Sequence, residues 1–246
     1  LFLIEPVQVI ASSLSSKYPN IQTYTGYSEK RPGVKVRLST HFTKINAWIQ
    51  LPGEQDFFIQ PLKTNERIHF VYQKTRNDKA QEFLCKTIKN NLKLEKTYNF
   101  RKSINFENKL RIFRIAIAGT AEYTNYWGDD DQSNGTNSED AYAAVVSTIN
   151  RINQVFEDEL SIRLELVSDS SLLYEDAIND PFTGNFSSEL QSTIDKEIGD
   201  EAYDVGHLFD FGEPNGDAGC IGCVCETGVK AQGYSTHPFE DIYGGE

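Results

Sequence analysis

Three cysteines crowd into six residues near the end of this sequence, at positions 220, 223 and 225, and a fourth, Cys85, stands alone. Thiolates at such short spacings suit a metal, but Cys220-x-x-Cys223 has no second C-x-x-C or paired histidine nearby, and His237 makes a poor fourth ligand. A disulfide, within the run or to a cysteine beyond it, fits the spacing better. Read as an extended strand, Gly219, Cys220, Ile221, Gly222, Cys223, Val224 and Cys225 would put Cys223 and Cys225 on one face. A second candidate is the acidic loop DDDQSNG at 129–135. Aligned on Gly135 as the turn glycine of a calcium loop, Asp130 and Asn134 fall at ligand positions. Gln132 and Ala141 then stand where two oxygen ligands are required, so the match fails and a solvated loop is expected. His41, His69, His207 and His237 are scattered, and His207 sits in an apolar run that suits a packed core histidine. No G-x-S-x-G elbow and no phosphate-binding glycine loop is present. The residues by themselves assemble no catalytic constellation.

The elements that would carry these groups divide near residue 108. In residues 1–80, Val34, Val36 and Leu38 alternate with Lys35, Arg37 and Ser39, and Ala47, Ile49 and Leu51 alternate again. Further apolar runs at 57–59 and 68–72 follow turns marked by Pro52-Gly53 and Asn65, predicting an antiparallel sheet with one wet face. The apolar start, 1–10, carries Glu5 and reads as a strand rather than a signal peptide, and a helix is expected over 7–17. The stretch 76–108 is polar and aperiodic and reads as a linker. Beyond it the pattern becomes strand (110–118), helix, strand (162–167), helix, strand (203–209), with extended pieces near 221–225 and 229–234. Ala141, Val145, Ile149, Ile152 and Phe156 stripe the first helix, capped at Asn137, and Ser188 and Gln191 form a capping box for the second. Such alternation predicts an α/β layer on a mainly parallel sheet.

Charge divides at the same place. Residues 1–108 hold 17 Lys and Arg against 9 Asp and Glu, whereas residues 109–246 hold 7 against 27. Either each half carries its own solvated surface, or the basic half docks on the acidic one; the acidic half would in both cases repel a nucleic-acid backbone. No run reaches the ~18 apolar residues that a membrane span needs. Methionine is absent, so the chain is expected to begin inside a longer gene product.

The second part resembles a known family. TINRINQVFE at 148–157, SIRLELV at 161–167, YDVGHLF at 203–209, GCVC at 222–225 and GVKAQGY at 228–234 are similar, in this order, to the reprolysin-like (M12B-type) metallopeptidases of bacteria, a branch of the metzincins. YPNIQTYTGY at 18–27 and FLC at 83–85 resemble, more loosely, the propeptide of the same family. The resemblance implies a β-rich propeptide domain over 1–83 and a basic linker over 84–108. Residues 109–246 would then be the upper α/β subdomain of a metzincin, with a twisted, mixed, mainly parallel five-stranded sheet and two helices. It implies a secreted or cell-surface zinc endopeptidase zymogen acting on peptides or proteins. The family's H-E-x-x-H helix, which binds zinc and activates its water, has no counterpart in these residues, so the chain alone is expected to be inactive. The resemblance also implies a cysteine switch to zinc at Cys85, although Lys86-Thr87 replaces the usual Gly-Val and a structural or unpaired cysteine stays open. It further implies an activation cut near Arg101 and Lys102, and a substrate-cleft edge strand over 219–225. A non-catalytic secreted binding or adhesion module is the competing reading. An H-E-x-x-H helix encoded further along the gene would separate the two.

Overall fold

The computed structural model describes residues 1–62, 65–73, 84–87, 109–131 and 133–237. Two six-stranded sheets organise them. The first is an antiparallel meander of β1 (Phe2–Pro6), β2 (Ile21–Ser28), β3 (Lys35–His41), β4 (Lys44–Gln50), β5 (Phe57–Leu62) and β6 (Asn65–Gln73). The helix expected over 7–17 shrinks to α1 (Ser12–Ser15). Val9 and Ile10 are extended instead, because they pair with another strand and bury their side chains there.

The second sheet runs β7 (Leu84–Cys85), β11 (Asn215–Asp217), β12 (Gly233–His237), β10 (Val205–Phe211), β8 (Arg111–Gly119) and β9 (Ile162–Leu166). Its β9, β8, β10 and β12 are mutually parallel, and β11 turns back antiparallel to β12. The sheet is mainly parallel, as expected, but its last two strands lie at 215–217 and 233–237 and not at 221–225 and 229–234, and β7 is added at its edge. The third strand begins two residues later than its apolar run suggests, at Val205, because Tyr203 is turned into the core and Asp204 binds Arg114.

Three helices pack on this sheet: α2 (Ala121–Trp127), α3 (Asn137–Leu160) and α4 (Phe186–Glu197). The seven residues of α2 are too short to display an apolar stripe, so no sequence pattern announces this helix. Thr120 caps it. Thr136 rather than Asn137 caps α3, in a full capping box with Glu139, and the anticipated stripe lies inward with Ala141, Val145 and Ile149 fully buried. The capping box expected from Ser188 and Gln191 does not form. Asn185 precedes α4 without a side-chain cap, and Gln191 instead holds Asp195, Tyr203 and the Ala231 N–H. Gln191 is more valuable in the core, where three polar partners need it.

The two sheets meet at α3, along the face of β3 that alternation assigned to water. Arg37, Ser39 and His41 are all buried there. Arg37 donates to Gln154 (3.0 Å) and Glu157 (2.6 Å), and Asn150 donates to the Leu38 carbonyl and to Ser39 Oγ (both 3.0 Å).

Candidate functional site

The exposed edge of the second sheet is β11, and the chain itself occupies it. β7 lies parallel to β11 with Leu84 opposite Asn215 and Cys85 opposite Gly216. The Leu84 N–H donates to the Pro214 carbonyl (3.1 Å), and the Lys86 N–H donates to the Gly216 carbonyl (2.8 Å). Thr87 Oγ1 accepts from the Ala218 N–H at 2.9 Å, extending the contact by one residue. Cys85 is a free, exposed thiol on this edge. An edge strand offers unpaired backbone groups to any extended peptide, so β7 fills a place that a peptide in trans would use.

The cysteine run follows β11 directly, but it is a succession of turns and not the expected edge strand. Gly219 and Gly222 have φ of +71° and +83°, which a strand excludes and which favour glycine. Cys220 and Cys223 form a disulfide, while Cys225 is a free, exposed thiol whose N–H donates to the Asp204 carbonyl (2.8 Å). The loop is pinned beyond the cysteines, where Lys230 is buried against Asp200 (3.1 Å) and the Tyr203 ring (4.4 Å). With two sulfurs joined, the thiolate metal site considered for this run loses its ligands. Arg101 and Lys102 lie outside the described residues.

The histidines do not converge. His207 Nε2 shares a hydrogen bond with Ser235 Oγ (2.9 Å), and burial lowers its pKa to about 4, so the ring is neutral. His41 packs against α3 and is also lowered to about 4, by burial and then by Lys44. His69 Nε2 accepts from the Ile45 N–H at 3.0 Å. His237 stands beside the Phe211 ring at the end of β12. A histidine whose folded pKa is depressed stabilises the fold fully above its ordinary value near 6.5, and this contribution is lost as pH falls toward 4. His207→Gln is therefore expected to flatten the pH dependence of stability between about 6.5 and 4 by roughly 1.4 kcal/mol per pH unit, one proton's worth. Urea midpoints measured in that range test this; an unchanged slope would refute it.

The acidic loop faces the first sheet. Asp129 accepts from Asn134 (2.8 Å) and from Lys44 (3.1 Å), and Lys44 also reaches Asp140 (2.7 Å) and Glu66 (2.5 Å). Burial raises the pKa of Asp129, but hydrogen bonds from Asn134 and the Asp131 N–H, with Lys44, hold it well below the usual range. Burial pushes Asp140 up to about 6 despite Lys44. Sequence reasoning missed this cluster and Arg37 as individual residues. The opposed charges of the two halves were the signal that they would meet.

The unit from β8 onward thus combines parallel β9, β8, β10 and β12, an antiparallel β11 and a long α3. The family model for the reprolysin-like M12B metallopeptidases matches residues 109–243. The chain belongs to this family. No curated protein matches it. The reprolysin-like unit thus begins two residues before β8, and the first sheet lies ahead of it. Family members depend on zinc. Among the described residues no group of three or more His, Cys, Asp or Glu is placed to hold a metal. The described part of the unit does not fit a complete zinc site, and Cys85 is a single thiol at its edge. Among the described residues no helix is long and apolar enough to cross a membrane.

Proposed function

We propose that these residues are the latency-conferring part and the cleft-bearing part of a secreted zinc metalloendopeptidase zymogen. In this reading residues 1–83 are the propeptide, 84–108 the activation segment and 109–246 the start of the catalytic domain. Its substrates are extended peptides or proteins, not nucleic acids. The observation that carries the reading is the pairing of Leu84–Cys85 with β11 inside a reprolysin-like unit. A peptide substrate would add to the same backbone edge, so β7 and substrate exclude one another. Cys85 rides on the blocking strand and is the zinc ligand of the latent state, with the remaining ligands supplied from outside the described residues. The Cys220–Cys223 disulfide favours an oxidising, secretory location. Cleavage near Arg101 and Lys102 severs the covalent link between the blocking strand and the reprolysin-like unit, and segment 219–225 borders the cleft as a disulfide-closed turn.

The decisive measurement uses the full-length precursor and a quenched peptide substrate. Cys85→Ala is expected to raise activity before processing to near the processed level, with a bound zinc demonstrated in both forms. Latency unaffected by the substitution would exclude the switch, and a mature N-terminus mapped far from residues 86–109 would exclude the activation segment.

A further inference from the structure

Residues 7–18 precede the first sheet's long strands, yet the side chains of Val9, Ile10 and Tyr18 belong to the core of the reprolysin-like unit. Val9, Ile10 and Tyr18 are 1%, 7% and 5% exposed, within the cluster formed by Ile115, Tyr142, Val145, Leu164 and Leu166. The backbone takes part as well. The Leu166 N–H donates to the Val9 carbonyl (2.7 Å) and the Ala11 N–H donates to the Leu166 carbonyl (2.9 Å), so the segment adds in parallel to the free edge of β9. Tyr18 lies against the Tyr142 ring at 4.4 Å, and its hydroxyl accepts from the Ser170 N–H (2.9 Å) while meeting Ser170 Oγ (3.0 Å). Lys17 pairs with Asp169 at 2.7 Å beside it. A strand edge, an apolar slot, an aromatic shelf and a carboxylate together make a complete peptide-binding groove, on the opposite sheet edge from β11.

We infer that this groove is a second binding site whose ligand is the chain's own segment 7–18, and that it retains the first sheet on the reprolysin-like unit after the connecting chain is cut. The groove contacts stand beside those of Arg37 and Lys44 with α3 and the acidic loop, and neither set requires a covalent link through residues 88–108. Cleavage of that link therefore leaves a bound pair, and release of the β11 edge needs a further event that displaces the plug. The inference rests on the contacts alone, and its readout is association, so it stands or falls separately from the zinc-peptidase reading.

The test uses the whole 246-residue chain with a specific protease site inserted between Arg101 and Lys102. After cutting, the two fragments are expected to co-elute on size exclusion at about micromolar concentration, in about 0.15 M and about 1 M salt, because an apolar plug is not screened. Ile10→Ser combined with Tyr18→Ala should weaken association at least about tenfold, as two buried anchors are lost. Tyr18→Phe, which keeps the ring and removes only the hydroxyl contacts, should weaken it about five-fold and decides the matter if the double variant fails to fold before cutting. Lys35→Ala, at the exposed pair with Asp158, should change it less than about two-fold. Separation of the cut wild-type fragments, or plug variants that bind as wild type, would overturn the inference.

Discussion

Gly206→Ala is expected to destabilise the protein by about 3 kcal/mol or more, the largest loss foreseen for adding a single methyl group. Gly206 lies in β10, between β8 and β12. A Cβ there would lie 2.4 Å from Ala231 Cβ, 2.9 Å from Ala231 Cα and 2.9 Å from Ile194 Cδ1. The Gly206 N–H also donates to the Lys230 carbonyl at 2.8 Å, so the backbone cannot retreat without losing that bond. Moving α4 instead would open the cluster around Leu190, Ile194 and Tyr203, all fully buried. The double variant Gly206→Ala with Ala231→Gly should recover part of the loss, since the Ala231 Cβ contact is relieved while the contacts with the Cα at position 231 and with Ile194 are not. Urea unfolding of the two single variants and the double variant measures this. A loss below about 1 kcal/mol for Gly206→Ala would mean that the sheet and α4 adjust freely, against the close packing described.

Arg37→Met should cost about 3 kcal/mol, although arginine at a solvent-facing strand position is usually replaceable. The Arg37 side chain is 3% exposed and directs Nε to Gln154, Nη1 to Asn150 (3.5 Å) and Nη2 to Glu157. Truncating it leaves buried acceptors on α3 facing an apolar chain. Among the described residues Glu157 keeps Arg163, at 2.7 Å. Arg37→Lys should rescue little, because one ammonium cannot span three acceptors as the planar fork does. The neighbouring pair Lys35–Asp158 is 43% and 33% exposed, and breaking it should cost under about 1 kcal/mol. Urea midpoints at moderate salt rank the three variants. If Arg37→Met proved no more costly than Lys35→Ala, the two sheets would not be joined through this contact.

Both predictions concern places where pattern reading runs out. In β3 the apolar set, Val36 and Leu38, is the one that alternation assigns to the interior, and Arg37, Ser39 and His41 fall to water. The observed burial is of Arg37, Ser39 and His41 as well as Val36. A one-dimensional pattern weighs each side chain by its own affinity for water and has no access to its partner. Arg37 is buried because Gln154 and Glu157 replace its hydration, and these residues lie more than a hundred positions away. The plug at Val9, Ile10 and Tyr18 escaped notice for a related reason. Its apolar residues suggested a local helix, whereas their burial depends on β9 and α3 arriving from elsewhere.

The opening candidates, the cysteines, show the same boundary from the other side. Gly219 and Gly222 were visible beside Cys220 and Cys223, and paired glycines at that spacing signal turns. The positive φ they supply is what lets the run fold back and close its disulfide. By itself the sequence determined the strands β8, β9 and β10 of the parallel layer, the inward stripe of α3, the change of charge near residue 108 and the family of residues 109–243. The first three follow from periodicity and composition within short windows, where each residue's neighbours are known; the family follows from the resemblance of the quoted motifs. Only the tertiary structure decided that Cys85 lies on the β11 edge, that the polar face of β3 is an interface and that segment 7–18 fills a groove beside β9. Each of those depends on groups that are distant in the chain becoming mutual replacements for water, which no local pattern records.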